Sequence, residues 1–360
     1  MVRWVPGLCI ALTALASFPL RPVVSAFLTT EASAKVVRRN ESAELHRYEA
    51  VEPHMGTLVR VTVYTPDEQT AKAAFRAAFD RIRDLDGILS DYKPDSELSR
   101  ITKTAVNRAM PVSEDLFTVL RASQELADAT DGAFDVTQGP VIQLWREARR
   151  TGRMPDATAL RDAATRAGFR KLHLDAQQRT VRFDMTGMAL DVGGIGKGYA
   201  ASEAIEALAA LGVRSALVAV SGDLAFSDAP PGERGWRVGV HTGDPAVLDV
   251  PGVLELTNGA VSTAGSSQQH VDISGRRYSH IIDPSSGMGL VDDITVTVIA
   301  PHGLEADGLD TAASVLGAER GLALIESHPN AAALIIEHTS TGTRVRQSSG
   351  FVKLTARRRD

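Results

Sequence analysis

The chain has 360 residues, 44% of them hydrophobic, with 39 basic and 44 acidic side chains and a net charge of −5. That length suits one large domain or two ordinary ones. The acidic balance leaves no basic patch for nucleic acid, the 5% aromatic content offers no base-stacking platform, and the single cysteine, Cys9, excludes an internal disulfide and a cysteine-based metal site.

The N-terminus carries an apolar run from Trp4 to Phe18 behind Arg3, with small-residue cleavage patterns at Ala14-Leu15-Ala16 and Val24-Ser25-Ala26. This is the pattern of a secretory signal over residues 1–26, and the run is shorter than the roughly 20 residues of a membrane span. The expected location is therefore exported, in the periplasm or at the outer face of the inner membrane. Leu8 ahead of Cys9 is not the small residue that lipid attachment favours, so Cys9 reads as an ordinary apolar residue of the signal. Residues 27–47 are polar and read as a linker, residues 48–345 as one compact unit, and residues 346–360 as a tail.

Within that unit, alternation predicts a strand over Leu58–Tyr64, and 3.6-residue spacing predicts helices over Thr70–Leu89 and Glu114–Asp131. A short helix over Thr158–Ala167 and a strand pair over Leu172–Leu174 and Thr180–Phe183 follow. Ala189–Val192 reads as a strand leading through glycines into a helix over Tyr199–Leu211. Further strands are expected at Ser215–Val220, Trp236–Val240, Gly252–Leu256, Ala260–Thr263, Ser279–Ile282, Ile294–Val298 and Ala331–Glu337. Helices over Ala306–Leu316 and Glu319–Ser327 precede the last of these. The mixture lacks a steady β-α-β rhythm, which predicts an α+β fold with largely antiparallel sheets and packed helices.

Three segments carry chemistry. Asp191-Val192-Gly193-Gly194-Ile195-Gly196-Lys197-Gly198 joins a strand to a helix. Glycine backbones, a helix N-terminus and Lys197 suit a phosphate or pyrophosphate; the alternative is a tight turn with a solvated lysine. The glycine spacing is neither a P-loop nor the dinucleotide fingerprint. In Ala306-Asp307-Gly308-Leu309-Asp310-Thr311, helical spacing puts Asp307, Asp310 and Thr311 on one face. Those hard oxygens suit Mg²⁺ and disfavour zinc; the alternative is helix capping. His280, in Ser279-His280-Ile281-Ile282-Asp283-Pro284, is either a general base or a structural histidine. Met55-Gly56-Thr57, Tyr92 and Gly132-Ala133-Phe134-Asp135 carry little meaning singly.

Taken in order, these segments resemble the ApbE family of FAD:protein FMN transferases, from Met55 to the helix ending at Leu316. The resemblance implies a T-fold-like α+β architecture and an enzyme that moves FMN from FAD to a threonine hydroxyl of a target protein, releasing AMP. It implies FAD contacts from Met55, Tyr92, Ala133, Phe134, Asp135, Asp191, Lys197 and Ile281. It implies Mg²⁺ contacts from Gly194, Asp307, Asp310 and Thr311, with His280 as the catalytic base. The implied partners are FAD and an acceptor protein carrying the threonine, a membrane redox subunit being one candidate. Two other activities suit the same residues: an FAD pyrophosphatase giving FMN and AMP, and a non-catalytic FAD-binding protein. The chain departs from the family pattern at Ser221-Gly222-Asp223, Ser266-Ser267-Gln268 and Ser286-Gly287-Met288-Gly289. These departures are expected to alter loop shape and to leave the metal and phosphate residues untouched.

Overall fold

The computed structural model describes residues 44–240, 250–265 and 269–356. The expected signal segment 1–26, most of the linker and the loop Ser266–Gln268 lie outside the described residues.

An eight-stranded sheet organises the fold. Its strands, His46–His54, Thr57–Thr65, Ala216–Val220, Asp223–Phe226, Gly259–Gly265, Asp293–Ala300, Ala332–Thr339 and Gly342–Gln347, lie side by side in chain order. Every neighbouring pair is antiparallel. The remaining elements are insertions between successive strands, except the helix Ser349–Ala356, which follows the last of them.

Side chains alternate between the two faces of a strand, so each strand feeds two cores. Val59, Val61, Val63, Ala216, Val218, Val220, Val296 and Val298 face one way. The helices Glu68–Leu89, Gly196–Ala210 and Gly303–Glu326 cover that face. Glu68–Leu89 is capped by Asp67, whose carboxylate accepts the Thr70 N–H, and its buried Ala71, Ala74, Ala78, Ile82, Leu85 and Leu89 form the expected stripe. On the opposite face, Val261, Leu334 and Ile336 pack under the hairpin Trp236–Gly239/Val253–Leu256 and the fully buried Phe351.

Several local expectations are corrected. Ala189–Val192 is not a strand: Ala189 makes one isolated bridge to Gln138, and the Asp191 N–H is taken by the Val136 carbonyl at 2.8 Å. The strand expected over Ser279–Ile282 is split at His280–Ile281, because the His280 N–H turns to the Gln269 carbonyl while Ile282 pairs with Gly289. The helix expected from Tyr199 begins at Gly196, placing Lys197 in its first turn. The sheet starts at His46, inside the segment read as linker, and residues read as tail finish the last strand and form the helix Ser349–Ala356. The two helices expected after Ala306 are continuous apart from Gly317, whose φ of 76° breaks the helical path where the sequence reading placed a gap.

Candidate functional site

Two helix starts meet over the middle of the sheet. Gly198, in the first turn of Gly196–Ala210, lies against Gly303, the first residue of Gly303–Glu326. A Cβ on Gly198 would sit 2.1 Å from the Gly303 carbonyl oxygen, so this approach requires glycine. The Gly198 N–H donates to Asp307 Oδ2 at 2.8 Å. Asp307 therefore serves the neighbouring helix. Its own helix starts four residues earlier behind His302, so neither Asp307 nor Asp310 caps it.

Beside this junction lies a cavity of about 490 Å³, within the range of small-molecule sites. Its floor is charged. The Lys197 ammonium donates to Asp223 Oδ2 at 3.2 Å and to the Gly193 carbonyl at 3.1 Å. Asp223, Asp307 and Asp310 are 4%, 3% and 1% exposed, so three buried carboxylates share one half-buried ammonium. Ser262 bridges Asp310 (2.6 Å) and Asp223. One hydroxyl hydrogen cannot serve both carboxylates, so the other contact needs a proton on an acid. Burial, then Asp307 and Asp223, pushes Asp310 well above the usual carboxylate range. Burial, then Asp223, pushes Asp307 up to about 7. Burial works against the Lys197 charge, but Asp223, then Asp307 and Asp310, outweigh it and raise its pKa. The floor thus carries surplus negative charge and attracts a proton or a cation.

His280 stands on one side. Its Nδ1–H donates to the Gln269 carbonyl at 3.1 Å, which leaves Nε2 as the basic nitrogen. Burial, reinforced by Arg149 and Lys197, lowers its pKa to about 4, so the ring is neutral near pH 7. Asp191, on the glycine turn, accepts the Gly193 N–H at 2.8 Å and pairs with Arg146 at 2.6 Å. Burial and then Asp91 raise its pKa, with Arg146 opposing.

The rim is built from turns. Met55 and Gly56, with φ of 49° and 71°, form the two-residue tip between the first two strands. Met55 N–H donates to Asp86 at 3.3 Å, and Tyr92 O–H donates to the same carboxylate at 3.3 Å. Asp86 is held in turn by Lys93 at 2.6 Å and by Ser90. Tyr92 is 54% exposed, whereas Phe134 is 4% exposed and packs in the main core. Tyr92 thus presents a free ring and Phe134 does not. The Asp135 carboxylate is occupied by Thr137 N–H (2.8 Å), Thr137 Oγ1 (2.6 Å) and Gln138 (3.0 Å), and so shapes its own turn.

All thirteen sequence-derived site residues line this cavity. Met55, Tyr92, Ala133, Phe134, Asp135 and Ile281 form its rim and sides. Gly194, Asp191, Lys197, Asp307, Asp310, Thr311 and His280 lie deeper. Sequence reasoning missed Arg146, Arg149, Ser262 and Gln269, and did not give Asp223 a role. The two arginines ride on a helix, Gly139–Thr151, announced by Pro140 near its start and Gly152 after its end. The expectation that the departures spare the phosphate residues is overturned at Ser221-Gly222-Asp223, since Asp223 pairs directly with Lys197.

An α+β fold with such a cavity, anionic at the floor and flanked by a neutral histidine, is the architecture of a small-molecule-handling enzyme. The description "ApbE family" fits residues 55–335, and the chain belongs to that family. A curated relative from Klebsiella pneumoniae (strain 342), named FAD:protein FMN transferase, is 32% identical over 79% of this chain and 82% of its own length. One from Treponema pallidum (strain Nichols), with the same name, is 32% identical over 86% of this chain and 89% of its own. Among solved structures, the flavin transferase ApbE from Vibrio cholerae superposes with a TM-score of 0.78 at 26% identity, over 86% of this chain and 99% of that one. The apo flavinyl transferase ApbE of Pseudomonas stutzeri gives 0.76 at 30% identity, over 86% and 97%.

Proposed function

We propose that this chain moves the FMN part of FAD onto a threonine hydroxyl of an acceptor protein, with Mg²⁺ at the floor and AMP released. The observation that carries this reading is the meeting, in one cavity, of surplus buried carboxylate, a lysine and a neutral histidine within a chain of the ApbE family.

Asp307, Asp310, the Thr311 hydroxyl and the Gly194 backbone would hold the metal. The residues fit it: three buried carboxylates against one ammonium favour a cation, and the donors are all hard oxygens. When bound, Mg²⁺ would supply positive charge to a phosphoryl group. Lys197 places a second, fixed positive charge beside the same floor. His280 Nε2 accepts the proton as the threonine oxygen bonds to the FMN phosphorus. The bond from that phosphorus to the AMP phosphate oxygen breaks, and AMP leaves with the bonding pair. Tyr92 offers its exposed ring to one of the two aromatic systems of FAD. Export by the N-terminal segment is part of the proposal, and the acceptor would then share that compartment.

The test incubates the purified chain with FAD, Mg²⁺ and a threonine-bearing acceptor protein and weighs the acceptor. A mass gain of one FMN residue, absent when the threonine is alanine, supports the reading. Free FMN and AMP with an unmodified acceptor would make the chain a pyrophosphatase, and intact bound FAD would make it a binding protein.

A further inference from the structure

Cations in the cavity divide into committed and spare. Arg146 is committed to Asp191 at 2.6 Å and to Asp91, and Lys197 is committed to Asp223. Arg149 is not. It is half-buried, and among the described residues its guanidinium forms no ion pair; Nη1 donates to the neutral Gln269 Oε1 at 3.2 Å. Ile142, Arg146 and Arg149 fall on one helical face, and all three line the cavity. Gln269 ties this cation to the histidine, since its side chain takes Arg149 while its carbonyl takes His280 Nδ1–H. A half-buried guanidinium without a carboxylate is poorly compensated until an anion arrives. In keeping with this, burial and then Arg146 lower the Arg149 pKa.

We propose that Arg149 is a substrate-contacting residue that donates to a phosphate oxygen of the FAD diphosphate on the His280 side of the cavity. The inference rests on the FAD reading above and adds a specificity element to it: selection for a diphosphate over an uncharged flavin. Arginine suits the task because its planar fork can give two parallel N–H donors to one phosphate.

The experiment titrates the wild type, Arg149→Gln and Arg149→Lys with FAD, ADP and riboflavin by calorimetry in Mg²⁺ buffer, and records melting temperatures. Losing a charge-assisted contact should weaken FAD and ADP by about tenfold to a hundredfold in Arg149→Gln. Riboflavin affinity and melting temperature should not move, and Arg149→Lys should recover part of the loss. FAD and ADP affinities within about twofold of wild type would overturn the proposal. So would an unchanged FAD affinity with a raised KM for the acceptor protein, which would assign Arg149 to an acidic group of the acceptor. Equal weakening of riboflavin would make the residue merely structural and also overturn it. A wild type that binds neither FAD nor ADP would sink the FAD reading itself, an outcome distinct from the other three.

Discussion

At the floor of the cavity, Lys197, Asp223, Asp307 and Asp310 stand on two helix starts and a sheet strand, linked side chain to side chain and to the Gly198 N–H. At the rim, Met55, Tyr92 and Asp135 stand on turns, and a single buried carboxylate, Asp86, steadies two of them. The floor is over-determined by rigid elements and tuned by burial. At the rim Tyr92 is exposed, Met55 and Asp135 are half-buried, and all three stand on turns. Charge chemistry needs fixed groups in a dry setting, whereas ring recognition tolerates some movement. The division predicts that floor substitutions alter turnover and rim substitutions alter affinity.

The largest effect should come from the floor. Asp307→Ala and Asp310→Asn should each lower Mg²⁺-dependent transfer on the order of a hundredfold or more. Asp310→Asn should also raise the melting temperature of the metal-free protein, because it removes one of three crowded carboxylates, and should weaken Mg²⁺-induced stabilisation. Unchanged turnover in both variants would erase the distinction between floor and rim.

Next comes His280→Gln, which should slow transfer by about 10²–10⁴-fold with little change in FAD affinity. Equal loss of both would mark a structural histidine. Its folded pKa of about 4 lies below the ordinary histidine value of 6.5. The unfolded chain therefore binds more protons between those values, and stability falls as pH drops from about 6.5 towards 4. His280→Gln should flatten that part of the melting-temperature profile. The transfer rate of the wild type should lack a histidine limb near pH 6.5 and decline only in stronger acid.

A smaller effect is expected at the rim. Tyr92→Ala should cost about 1–3 kcal/mol of FAD binding through lost stacking, with the maximal rate and melting temperature nearly unchanged; a collapse in rate would move Tyr92 to the floor class. The smallest concerns Ser221, whose φ of 60° lies in the left-handed region. Ser221→Gly relieves roughly 1 kcal/mol of strain and loses a similar amount to backbone entropy, so the stability measured by denaturant unfolding should stay within about 1 kcal/mol of wild type.

The floor was largely legible in the sequence because two short segments, 191–198 and 306–311, hold most of it, and their residue types and spacing are chemically distinctive. Asp223 was not, because an acid two residues after Ser221 looks like a turn residue until the sheet buries it beside Lys197. Arg146 and Arg149 read as ordinary charges on a helix surface, and only the packing of Trp145 and Val141 turns them inward. The first strand, His46–His54, is not legible, its first two residues falling in the segment read as linker and the rest carrying no strand signal, because it lies at the sheet edge with mostly exposed side chains. Strands such as Ile294–Val298 were legible from their own periodicity. Their neighbours were not, since pairing depends on residues far away in the chain.

The back-to-back glycines at 198 and 303 carry a consequence for anyone recombining this family. A side chain at either position would collide with backbone atoms of the other, at 2.1 Å and 2.0 Å, so the two helix starts behave as one inherited unit although they lie more than a hundred positions apart in the chain. A chimera that imports one start without a matching glycine in the other would wedge the junction open and shift the lysine relative to the acids. Crossover points for engineered hybrids should therefore keep both segments from the same parent.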